Sequence, residues 1–100
     1  MKETRAHLYI TGRVQGVSFR YYTLQEAQSV GVFGWVRNLW DGRVEVLFEG
    51  DEGAVDHMVQ WCHQGPGTAV VDKVDVLWEE PADEFSNFRV RMTAQANGGV

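Results

Sequence analysis

Gly34-Trp35-Val36-Arg37-Asn38-Leu39-Trp40-Asp41-Gly42-Arg43-Val44-Glu45-Val46-Leu47-Phe48 lies near the middle of the chain and reads as two short strands joined by a tight turn. Gly34 to Leu39 and Arg43 to Phe48 are the two arms, and Asp41-Gly42 is a strong hairpin signal because these residues accept the backbone angles of a turn. Trp40 to Gly42 is the expected tip.

Each arm of this hairpin is preceded or followed by a helical pattern. On the N-terminal side, Phe19, Tyr22, Leu24, Ala27 and Val30 give a broad apolar face to a helix that Ser18 is placed to cap and Gly31 to stop. Before it, His7 to Val14 sets Leu8 and Ile10 against Tyr9 and Thr11, the period-two pattern of a strand with one buried face, ending at Gln15-Gly16. On the C-terminal side, Asp51 is placed to cap a second helix with Val55, Met58, Val59 and Cys62 on its apolar face, broken by Gly65-Pro66-Gly67. Ala69 to Trp78 and Phe85 to Met92 supply two further strand candidates, the last one short, with Glu79 to Glu84 as the polar connection. The order is β-α-β-β-α-β. It predicts an α+β, ferredoxin-like sandwich: an antiparallel sheet with both helices on one face.

A chain of 100 residues has room for one such domain, residues 1–100, with a core over about 6–92 and a fraying tail at 94–100. The net charge of −5 argues against sequence-independent nucleic-acid binding, which needs clustered Lys and Arg. Cys62 has no partner for a disulfide, so it reads as a core thiol in a reducing compartment. No apolar run approaches the roughly 20 residues that span a bilayer, and the N-terminus is not of signal-peptide type. A cytoplasmic monomer without membrane contact is the expectation.

Chemistry concentrates in Gly12-Arg13-Val14-Gln15-Gly16-Val17-Ser18-Phe19-Arg20, the turn from the first strand into the first helix. Backbone N–H groups in such a turn converge into a concave nest, the free amides of the helix N-terminus join them, and a guanidinium adds full charge. Phosphate fits this arrangement, with Arg20 as the side-chain ligand and Gln15, Gly16, Val17, Ser18 and Phe19 acting mainly through the backbone. The pattern is neither Gly-x-x-x-x-Gly-Lys-Ser/Thr nor Gly-x-Gly-x-x-Gly. Asn38, near the end of a strand, can accept one hydrogen bond from water and donate another, although an Asn before a hairpin is more often a turn residue. Cys62 lacks the arginine that a Cys-x5-Arg phosphatase loop requires, and Asp41 lacks the paired aspartates of an aspartyl-phosphate enzyme. His7, His57 and His63 are scattered, so no metal site is expected.

Two blocks then carry a resemblance. Ile10 through Arg20 resembles the first acylphosphatase signature; Gly34-Trp35-Val36-Arg37-Asn38 with Asp41-Gly42-Arg43-Val44-Glu45 and Gly50 resembles the second, and the likeness extends from Ala6 to Arg91. The resemblance implies a cofactor-free and metal-free hydrolase that cleaves the carboxyl–phosphate bond of acyl phosphates, with inorganic phosphate as product and inhibitor. It gives Arg20 the phosphate-binding role, Asn38 the positioning of the attacking water, and residues 15–20 the cradle. Leu39 and Trp40 depart from the small or polar residues frequent at those positions, so no ligand contact is carried over to them, and an influence on access is expected instead. The competing expectation is a non-catalytic ferredoxin-like module that binds an anion or RNA, for which aromatic faces on the central strands would be needed.

Overall fold

The computed structural model describes residues 2–96. It contains β1 (Glu3–Arg13), α1 (Phe19–Val30), β2 (Phe33–Asn38), β3 (Val44–Asp51), α2 (Glu52–Gln64), β4 (Val70–Glu79) and β5 (Phe88–Val90). The sheet order is β4-β1-β3-β2-β5, which is the ferredoxin-like plan with one strand added at an edge. The first four strands pair antiparallel, as expected. β5 departs from that expectation, because it runs parallel to β2 and makes the sheet mixed. The reason lies in the connection after β4. It crosses from one edge of the sheet to the other, passing Glu49, which accepts the Asp83 N–H at 2.6 Å, and Gly34, which donates to the Asn87 carbonyl at 2.9 Å. The chain therefore reaches the open side of β2 running in that strand's direction, where it covers an otherwise unpaired edge.

Pairing also continues further than the expected fraying point. Ala94 bridges Leu39, its N–H donating to the Asn38 carbonyl at 3.0 Å and its carbonyl accepting from Trp40 at 3.0 Å. Residues 97–100 of the expected tail lie outside the described residues.

The helical layer packs on one face. α2 buries Val55, Met58, Val59 and Cys62, the four positions its periodicity marks. α1 buries Phe19, Thr23 and Ala27 instead of the broader stripe expected, with Leu24 and Val30 packed at the margin and Tyr22 exposed. Thr23 tolerates burial because its hydroxyl donates to the Phe19 carbonyl at 2.8 Å. In the sheet, Leu8, Ile10, Val36, Val44, Val46 and Phe48 meet these helices. Gly12 marks a register shift between β1 and β4, where a Cβ would overlap the Val70 carbonyl oxygen. Only glycine permits that approach.

On the opposite face no helix among the described residues covers the sheet, yet Glu45, Leu47 and Glu49 of the central strand are buried. Long neighbouring side chains lie across them. Arg37 Nε donates to Glu45 Oε1 at 2.7 Å, His7 Nε2 lies 2.6 Å from Glu45 Oε2, and Arg5 reaches Glu49 at 3.3 Å. Two aromatic residues there carry cations: Trp35 is stacked by the guanidinium groups of Arg37 and Arg91, and Tyr9 by that of Arg43.

Burial alone would raise the Glu45 carboxyl, but hydrogen bonds from Arg37 and His7 outweigh it and hold the group below its ordinary value of 4.5. On acidification the unfolded chain takes up this proton first, so the stabilisation from Glu45 is present above pH 4.5 and is lost as pH falls through the lower folded-state value. Urea melts between pH 6 and 3 are expected to show the wild-type midpoint falling more steeply than that of Glu45→Gln. Parallel pH profiles would contradict this assignment.

Candidate active site

The loop between β1 and α1 turns on two left-handed residues. Gly16 has φ +73° and Ser18 φ +65°, while Val17 between them is not in the positive region. This alternation turns successive N–H groups toward one concave side, the geometry of an anion nest. Ser18 occupies the expected N-cap position but makes no side-chain cap hydrogen bond. Its left-handed backbone replaces the extended N-cap conformation from which a serine hydroxyl reaches the N2 or N3 amide. The helix N-terminus therefore stays uncapped.

The loop carbonyls are engaged elsewhere. Val17 C=O accepts the Thr68 hydroxyl at 2.6 Å, and Ser18 C=O accepts the Tyr22 amide at 3.1 Å. The amides of Val17 through Tyr21 have no protein acceptor among the described residues. Phe19 anchors the turn, its ring buried against Trp61 at a centroid distance of 5.7 Å. Uncapped N–H groups at a helix start carry the positive end of the helix dipole, which favours an anion.

Arg20 is partly buried in the first turn of α1. Whereas Arg5, Arg37 and Arg43 each pair with a carboxylate, Arg20 has none among the described residues. Asn38 ends β2 and is only 8% exposed. It stands opposite Val44 in β3, and on its other side the Ala94 amide holds its backbone carbonyl. Its side-chain Oδ1 is buried with no hydrogen-bond partner among the described residues. Such an acceptor costs about 1–3 kcal/mol and calls for a ligand or water to satisfy it.

A cavity of about 510 Å³ brings these parts together. Gly16, Ser18, Phe19, Arg20 and Asn38 line it, so residues from two separate sequence blocks share one space. Gln15 and Val17 do not line it. Gln15 instead turns its side-chain amide to the hairpin, donating to the carbonyls of Leu39 and Arg43 at 2.7 and 2.8 Å, a use of the side chain that the sequence reading did not anticipate. Tyr21, Leu24 and Val90 add an apolar wall that was also not foreseen. Leu24 follows Arg20 by one helical turn, a spacing legible in the sequence, whereas Val90 arrives through the β5 pairing. Leu39 is buried and Trp40 is 73% exposed at the hairpin tip, and neither lines the cavity.

Burial pushes the Cys62 thiol far up, which keeps it protonated and unreactive. Among the described residues no group of three His, Cys, Asp or Glu side chains is arranged around a metal position, and no helix is long and apolar enough to cross a membrane.

Known proteins resemble this chain over nearly its whole length. The family model described as Acylphosphatase matches residues 6–90, a span that includes both the nest and Asn38. An acylphosphatase of Roseiflexus sp. (strain RS-1) is 54% identical over 90 residues, covering 90% of this chain and 97% of the relative. That of Thermococcus kodakarensis is 57% identical over 90 residues, covering 90% and 98%. Among solved structures, the acylphosphatase from Bacillus subtilis aligns with a TM-score of 0.84 at 34% identity, covering 88% of this chain and 98% of that one. With the family model matching residues 6–90 and relatives more than half identical over 90 residues, the chain belongs to the acylphosphatase family.

Proposed function

We propose that the chain hydrolyses small acyl phosphates to a carboxylate and inorganic phosphate by direct attack of water on phosphorus. The observation that carries this reading is the unpartnered Asn38 Oδ1 in the same cavity as Arg20 and the uncapped amides of the 16–20 turn. The amides and Arg20 hold the phosphoryl oxygens. Asn38 Oδ1 accepts a hydrogen bond from water and so orients it.

Few groups are needed. A loose phosphoryl-transfer transition state places charge on the equatorial oxygens, and catalysis is mostly positioning and electrostatic stabilisation. The leaving carboxylate has a conjugate acid of pKa about 4, so it departs at neutral pH without a general acid. Asn38 is not a base, so the water's proton passes to a phosphoryl oxygen. Phosphate monoesters, whose alkoxide leaving groups are far more basic, react poorly under this scheme. We place the protein in the cytoplasm as a monomer, with inorganic phosphate as product and competitive inhibitor.

Purified protein in the presence of a strong chelator is expected to release phosphate from acetyl phosphate and to leave ethyl phosphate, an alkyl monoester, nearly untouched. Activity that vanishes with the chelator and returns with added metal would contradict the metal-free reading. Comparable turnover of the monoester would contradict the leaving-group argument.

A further inference from the structure

We infer that the Gln15 side chain is a positioning residue for hydrolysis, setting the separation between the phosphate-holding turn and Asn38. This rests on the functional reading given above. The two halves of the site are carried by β1 and β2, which are not neighbours: β3 lies between them in the sheet. Two strand spacings amount to about 10 Å, and no ladder hydrogen bond runs directly across that distance.

Gln15 spans the gap. Its Nε2 donates to the Leu39 carbonyl at 2.7 Å and to the Arg43 carbonyl at 2.8 Å, using both hydrogens of the amide. Because both partners are acceptors, the nitrogen and not the oxygen must face them. Among the described residues these are the only hydrogen bonds between the 14–18 turn and the 39–43 hairpin tip.

The two carbonyls are the ones that close the hairpin. Leu39 C=O already accepts the Gly42 amide at 3.1 Å, and Arg43 C=O already accepts the Leu39 amide at 2.8 Å. Gln15 takes the remaining acceptor capacity of each, so its two bonds form together only when the tip is closed. Gln15 directly precedes Gly16, and Leu39 directly follows Asn38. The bridge therefore joins the two halves within one residue of the groups that hold phosphate and orient water. Its loss leaves the nest intact, since the nest is made by the backbone angles of Gly16 and Ser18 and by the Thr68 and Phe19 anchors. What relaxes is the distance from the nest to Asn38, and a displacement near 1 Å costs about 10²-fold in rate.

The test compares wild type with Gln15→Met, which keeps the length and removes both donors, and Gln15→Asn, which is one methylene shorter and reaches at most one carbonyl. Acetyl phosphate turnover and inhibition by inorganic phosphate are measured on protein shown to be folded by circular dichroism. The expected result is a kcat lowered roughly 10- to 100-fold, with the phosphate inhibition constant changed by no more than about twofold. If one variant fails to fold, the other gives the same reading. Full kcat in a folded variant of an active wild type would overturn this inference alone, as would an equal loss of phosphate binding, which would make Gln15 part of the nest. Inactive wild-type protein would overturn the functional reading, and this inference with it.

Discussion

Arg20→Ala is expected to lower kcat/KM for acetyl phosphate by roughly 10³-fold and to weaken inhibition by inorganic phosphate by more than about tenfold. Arg20 lines the cavity beside the nest and has no carboxylate partner among the described residues, so its charge is available to a ligand. Partial burial strengthens its interaction with phosphoryl oxygens relative to water, and negative charge grows on those oxygens as the acyl–phosphate bond breaks. Stability should change little, because no ion pair within the described residues is lost. Arg20→Lys should recover only part of the activity, since an ammonium is a point charge without the planar fork that engages two oxygens. Full activity in Arg20→Ala, with the melting temperature unchanged, would remove Arg20 from the site.

Asn38→Ala should separate binding from chemistry. We expect kcat to fall about 10²- to 10³-fold, as for the loss of one precisely aimed polar group, while the phosphate inhibition constant stays within about twofold. The melting temperature is expected to hold or rise, because the substitution deletes a buried oxygen that has no protein partner. A residue whose removal spares stability and phosphate binding but not turnover serves the reaction and not the fold. Wild-type turnover by folded Asn38→Ala would contradict the water-orienting role. Loss of phosphate binding in parallel with turnover would instead make Asn38 a phosphate ligand.

Much of this arrangement can be read from the chain, because strong local signals agree with the global fold. Val55, Met58, Val59 and Cys62 recur at helical spacing and all four are buried, and the Asp41-Gly42 turn closes the hairpin with Gly42 at positive φ. α1 is less legible. Its apolar periodicity points to Tyr22, but the structure buries Thr23, whose local hydrogen bond to Phe19 hides its polarity from any hydropathy pattern. The parallel pairing of β5 is a tertiary outcome of the crossing at residues 80–87 and has no local signature.

The site divides in the same way. Glycines at a strand-to-helix turn announce an anion nest, and Arg20 falls one residue inside the helix. Ser18 reads as a side-chain cap because its identity suits that role; its left-handed backbone, which leaves the amides free, is a property of the folded loop. The Gln15 bridge and the Val90 wall join segments 24 or more residues apart in sequence. Only the three-dimensional fold brings these segments together. Burial of Glu45 and Glu49 on the open face is hidden for the same reason, since it depends on Arg5, His7 and Arg37 from neighbouring strands.

In the proposed mechanism water, aimed by Asn38, attacks phosphorus while Arg20 and the nest hold the phosphoryl group. The most direct measurement is hydrolysis of acetyl phosphate by the wild-type protein in oxygen-18 water under single-turnover conditions, with the products analysed by mass spectrometry. One labelled oxygen is expected in the inorganic phosphate and none in the acetate. Label in the acetate would show attack at the acyl carbon and would contradict this mechanism.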